Sequence, residues 1–289
     1  MFERREEIVL IIHNTSRDFL KNYEPTEVYI NEYFRKHSIH FEEYFKYHCK
    51  NVHEKMKVAV PKHLEKLPDL KMMSESMPRL IQEIATKYEE RYHIKFIKDV
   101  HLLVGIYGSN AFTYRQIIPE IAFCLEKLSA NELHLECIIA HEFGHALHHL
   151  LSDQESIDWG RLNWNSPYTW LLQEGCAIHF SKQAVDARED VYFAFEEDLE
   201  WLDFVQIHFT AIKGSLIEDL NTLPPTDIFR EWFSINGGTN YGYTRLAYYI
   251  GYKLVENLIK EYGEIGAVTI WHKEDYKEIL HKKLGEIES

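Results

Sequence analysis

Residues 129–151 read SANELHLECIIAHEFGHALHHLL, and the rest of the chain is read outward from them. No proline falls between Ser129 and Leu151, and Gly144 is the only glycine. Leu135, Ile138, Ile139, Ala146, Leu147 and Leu150 recur at helical spacing. Ser129 and Glu132 stand as a capping box, with Leu128 and Leu133 placed as a hydrophobic staple. The pattern predicts one long, mostly apolar helix. Set inside it are His141, Glu142 and His145. Two imidazoles four residues apart share a helix face. That placement suits two nitrogen ligands of one zinc ion at ~2.0–2.1 Å. Glu142, next to the first histidine, is placed to take a proton from a water that the ion activates. A carboxylate and two imidazoles are costly inside an apolar helix unless they are satisfied. A site is therefore expected here rather than two core histidines and a surface glutamate.

The bulk composition narrows the classes. The 289 residues carry 32 Lys and Arg against 46 Asp and Glu, a net charge of −14. Such a balance argues against a general nucleic-acid partner. A hydrophobic content of 45% with 14% aromatics is that of a packed globule. The N-terminal apolar run Ile8-Val9-Leu10-Ile11-Ile12 stops at His13-Asn14, too short for the core of a signal peptide. No run approaches the ~20 apolar residues of a membrane span. Cys49, Cys124, Cys137 and Cys176 are scattered without a CxxC pair and read as reduced thiols. A cytoplasmic protein with no membrane partner is expected.

Residues 1–95 read as helical and carry no evident chemistry. Phe34, His37, Phe41, Tyr44, Phe45 and His48 recur at three and four, so these histidines read as partly buried helix residues rather than ligands. Pro61, Pro68 and Pro78 punctuate the segment, with a further helix from about Arg79 to Tyr92. Ile94 to Ile97 and Val100 to Ile106 read as strands, Gly108-Ser109-Asn110 as a turn, and Pro119 to Leu125 as a third strand. Pro119 suits an edge position. Such an edge can pair with an extended peptide or be an ordinary sheet edge, and the sequence favours neither. Asp158 to Pro167 is a loop rich in turn formers. Residues 181–235 read as helical, with Glu196, Glu197, Asp198, Glu200 and Asp203 on a solvated face and Phe195, Leu199, Leu202 and Phe204 behind it. Asn236 to Tyr243 is a glycine-rich loop, Thr244 to Glu261 a last helix, and the tail is charged and polar.

His148 and Leu151 stand where the long pattern HExxHxxGxxH has glycine and histidine, so the third ligand must come from elsewhere. The stretch Trp170-Leu171-Leu172-Gln173-Glu174-Gly175-Cys176-Ala177 supplies Glu174, about thirty residues after His145. A carboxylate as third ligand leaves a fourth position open for water, the catalytic rather than the structural arrangement.

HExxH followed at that distance by a glutamate in an EGxA context resembles the gluzincin clan of zinc metallopeptidases. The same stretch is similar to WLNEGFA of the aminopeptidase N family, with one extra residue. The resemblance covers roughly residues 128–180 and a later fragment. It implies His141, His145 and Glu174 as metal ligands and Glu142 as general base. Two features depart from it. Ile178 stands where the thermolysin branch has an aspartate that orients a zinc histidine, and no GAMEN motif is present. The chain as a whole is similar to small uncharacterised bacterial proteins described as predicted zinc-dependent proteases. In the aminopeptidase N family a tyrosine of a YxxG stretch stabilises the oxyanion, and Tyr248-Tyr249-Ile250-Gly251 resembles it. Tyr248 is the implied donor, with Tyr241, Tyr243, Tyr249, Tyr252, His148 and His179 as alternatives. Peptide deformylases carry HEFDH and EGCLS, which raises Cys176 as a ligand. Their cysteine motif precedes HExxH, whereas here it follows, and GxGxAAxQ is absent. Cys176 reads better as a small buried residue.

The expected fold is α+β: a single, mostly helical zincin-like metallopeptidase domain over residues 1–289, with a small mixed sheet beside the HExxH helix. Its parts are a helical 1–95, the sheet and zinc helix 96–151, and a helical 152–289. The expected function is zinc-dependent hydrolysis of a peptide or protein substrate. The alternatives are a non-hydrolytic regulatory or binding protein on a zincin scaffold, and a deformylase-like amide hydrolase.

Overall fold

The computed structural model describes residues 10–288, so Ile8 and Val9 of the N-terminal run lie outside it. The described residues are mostly helical with one small mixed sheet, an α+β composition. The chain divides into two compact units, one ending at Glu142 and the other starting at Phe143.

The first unit runs β1 (Ile12–Asn14), α1 (Ser16–Lys21), α2 (Glu27–Lys36), α3 (Ser38–Glu43), α4 (Val52–Tyr92), β2 (Val100–Leu103), β3 (Ala111–Thr113), β4 (Ile121–Cys124) and the start of α5 (Glu132–Gln154). Strand order is β1-β2-β4-β3, with β1, β2 and β4 parallel and β3 antiparallel to β4. Val100 pairs with Ile121, and Phe123 with Ala111. Every residue of β2 and β4 is buried, as the interior of a largely parallel sheet requires.

The fold departs from the sequence expectations in three places. First, β4 is internal, and the edges are β1 and β3. Pro119 precedes the strand and costs no ladder bond, so its residue type carried no edge information. β3, three residues long, gives too short a pattern to read, yet it covers β4. Second, Ile94 to Ile97 is not a strand; the Phe96 N–H donates to the Glu89 carboxylate at 3.0 Å instead of to a ladder. The strand read over 100–106 ends at Leu103, because Val104 N–H turns to the Tyr33 hydroxyl and Ile106 N–H to the Tyr44 hydroxyl. Third, the three prolines do not separate helices. They lie inside α4, a single helix of 41 residues. Proline removes the bond to the carbonyl four residues back. Pro61 and Pro68 are exposed, as are Lys57 and Leu64, whose carbonyls they free. Pro78 frees the Ser74 carbonyl, and the Asn14 side-chain amide donates to that oxygen at 2.8 Å. Buried Leu70, Met73, Met77, Leu80, Ile81, Ile84 and Tyr88 then hold the helix in place.

His63, fully buried on α4, donates from Nε2 to the Gly105 carbonyl at 2.9 Å. Burial holds its imidazole down to about 4, outweighing the carbonyl, which pulls the other way. The folded chain keeps this ring neutral, whereas the unfolded ring takes a proton below about 6.5. Its contribution to stability is therefore complete above that pH and is lost as pH falls toward about 4. At pH 5 the loss amounts to about 2 kcal/mol, or roughly 3 °C in Tm for a chain of 289 residues. Tm measured from pH 7 to pH 5 should fall less steeply in His63→Gln, which keeps an N–H donor and does not titrate. An unchanged slope would contradict this assignment.

The second unit contains the rest of α5, then α6 (Pro167–Ala184), α7 (Glu189–Ala194), α8 (Leu199–Ile207), α9 (Phe209–Thr222), α10 (Pro225–Ile228), α11 (Leu246–Val268) and α12 (Tyr276–Glu286). Its frame is the pairing of α6 with α11. A Cβ on Gly175 would lie 2.2 Å from the Gly251 carbonyl oxygen, and a Cβ on Gly251 would lie 2.5 Å from that of Leu171. Only glycine at both positions permits backbones this close. α5 meets α6 in the same way at Gly144, where a Cβ would lie 3.0 Å from the Ala177 carbonyl oxygen. α11 breaks at Gly263, with φ +70, close to where the last helix was read to end. The tail forms α12, which buries Tyr276, Leu280 and Leu284 at a spacing of four. Among the described residues no helix is long and apolar enough to cross a membrane.

Candidate metal centre

α5 starts at Asn131 rather than at the expected Ser129 capping box. The Asn131 side-chain oxygen accepts from the N–H groups of Leu133 and His134 at 2.9 and 3.4 Å, while Ser129 accepts from Asn131 N–H. Both residue types cap helices well, so their order in the sequence does not say which one does. The shift leaves the histidines deep in the helix. His141 and His145 stand one turn apart on this continuous element, and His141 and Glu142 are 3% and 8% exposed.

α6 begins with Pro167 in its first turn, a position where a missing N–H costs nothing. Two turns later it carries Glu174, whose Oε2 lies 3.7 Å from His145 Nε2. That is too long for a hydrogen bond. It is close to the ~3.4 Å that separates two tetrahedral ligands each ~2.1 Å from one ion. Donor atoms of His141, His145 and Glu174 all lie within 4.8 Å of one another. Two imidazole nitrogens and one carboxylate oxygen form a donor set that fits zinc and leaves a fourth position open. Burial pushes the Glu174 carboxyl above the usual carboxylate range, against the His145 imidazole, a hydrogen bond from the Tyr248 hydroxyl and the charge of Arg245. A cation held by the three donors would offset the cost of burying that carboxylate.

The tyrosines of the C-terminal stretch separate cleanly. Tyr248 donates to Glu174, the carboxylate of the converging group. Tyr243 donates to Glu200 at 2.7 Å, Tyr241 pairs with Ser215 at 2.7 Å, and Tyr252 donates to Glu256 at 2.8 Å. Tyr249 is buried among Phe193 and Phe209. His148 donates to the Val268 carbonyl at 2.6 Å and stacks on Trp271, and His179 pairs with Glu264 at 2.7 Å. Cys176 is fully buried and falls outside the converging group. In the first unit His37 pairs with Asp18, and His48 stacks on Phe112, both partly buried.

Sequence reading missed Arg245, the residue that precedes α11. Its charge acts on Glu174, and its guanidinium carbon lies 5.9 Å from the centre of the Tyr248 ring. A single arginine in a tyrosine-rich stretch gives no spacing signal.

Compared with family models, with curated proteins and with solved structures, the chain matches none.

Proposed function

We propose that this chain is a zinc-dependent peptide hydrolase of the gluzincin type, on a zincin-like fold. The observation that carries the reading is the convergence of His141, His145 and Glu174, with donor atoms within 4.8 Å of one another. When bound there, zinc would polarise the scissile carbonyl and lower the pKa of a water. His141 and His145, one turn apart on α5, hold two corners of the site, and Glu174 holds the third. Glu142 takes the proton of the attacking water and passes it to the leaving amine. One step along α5 turns its side chain ~100° from that of His141, and it lies outside the three converging donors. The Tyr248 hydroxyl donates to the carbonyl oxygen as negative charge develops on it. Its bond to Glu174 keeps it beside the ligands in the meantime. The deformylase-like alternative gains nothing from Cys176, which lies outside the donor group.

The test is digestion of a mixed peptide pool by the zinc-loaded protein. Cleavage should appear, stop with a chelator, and return on adding zinc. Full zinc occupancy without cleavage of any peptide would overturn hydrolysis in favour of a binding protein on the same scaffold.

A further inference from the structure

Arg245 stands one helical turn before Tyr248, at the entry to α11. Its backbone is left-handed, with φ +59, a conformation uncommon for a residue with a Cβ. Its Nε is shut off from solvent and has no hydrogen-bond partner among the described residues. Strained backbone and an unsatisfied buried donor together mark a position kept for something other than stability. The guanidinium sits 5.9 Å from the Tyr248 ring centre, and its charge reaches Glu174. With a divalent ion in place, the Glu174 carboxylate would be engaged by that ion, and Arg245 would be left free to meet another carboxylate. An arginine fork matches a carboxylate in shape and charge. One residue of extended peptide, ~3.3–3.6 Å, together with the reach of its carboxylate, spans a distance of the order of the 5.9 Å between the guanidinium and the Tyr248 ring centre.

We infer that Arg245 binds a substrate carboxylate one residue beyond the scissile bond, so that the preferred substrates are peptides with a free carboxylate at that place. The inference rests on the hydrolase reading and names its substrate class. The carboxylate is that of the chain terminus or that of an acidic side chain.

The experiment uses zinc-loaded Glu142→Gln protein, which should bind peptides without cutting them, and calorimetric titration with three N-acetylated tripeptides. These are trialanine as the free acid, trialanine as the amide, and an amidated peptide ending in aspartate. The free acid should bind about 10–100-fold more tightly than the trialanine amide. Adding Arg245→Gly should abolish the difference. Glycine relieves the left-handed backbone, so this variant should fold. Zinc affinity, measured on the same samples, should not fall, since the substitution removes a positive charge that acts on Glu174. An amidated aspartate peptide that binds like the free acid would show that a side-chain carboxylate serves as well as the chain terminus; weak binding of that peptide would restrict the site to the chain terminus. Discrimination that survives Arg245→Gly, or that disappears together with zinc affinity, would overturn the inference, as would a failure of all three peptides to bind. Failure of the hydrolase reading looks different: discrimination would persist in binding while the wild-type protein cleaves nothing.

Discussion

Glu142→Gln should retain its metal and lose nearly all turnover. The substitution keeps the length and shape of a side chain that is 8% exposed, so the surrounding packing should survive. Glutamine still accepts a hydrogen bond at its carbonyl oxygen, but it cannot take a proton at working pH. Glu142 is not among the three converging donors, so metal affinity should not depend on its charge to first order. Loss of general acid–base catalysis typically costs 10²–10⁴-fold. The measurement is kcat on any peptide the wild type cleaves, beside the metal content of the same sample. Wild-type turnover in a fully loaded variant would remove Glu142 from the mechanism.

Tyr248→Phe should lower kcat by on the order of 10²-fold, the loss seen when an oxyanion donor is removed. Only one hydroxyl is deleted, so folding and metal binding should persist. KM should move little, since the hydroxyl is needed most where charge develops. The neighbouring tyrosines serve as controls. Tyr243 is tied to Glu200 and Tyr249 is buried among phenylalanines, so Tyr243→Phe and Tyr249→Phe should leave kcat near wild type. A full kcat in Tyr248→Phe would assign its hydroxyl to holding Glu174 alone.

The candidate metal centre was legible because its residues interrupt an otherwise apolar periodicity and because the spacing of two histidines on a helix is local geometry. Glu174 and Tyr248 stand in short motifs whose glycines have a physical cause. Gly175 and Gly251 allow α6 and α11 to touch backbone to backbone, and that contact brings Tyr248 to Glu174. Much of the sheet was not legible. β1 and β3 are three residues long, and the internal position of β4 depends on β3 pairing with it. The continuity of α4 rests partly on Asn14, which satisfies the carbonyl freed by Pro78 from far away in the sequence. Arg245 was invisible for the same kind of reason: its left-handed backbone and buried Nε are properties of the fold, not of any sequence pattern.

Calorimetric titration of metal-free protein with Zn²⁺ should show one site per chain, lost in His141→Ala, His145→Ala and Glu174→Ala and retained in Cys176→Ser. Undiminished zinc affinity in Glu174→Ala, with loss in Cys176→Ser, would contradict this assignment.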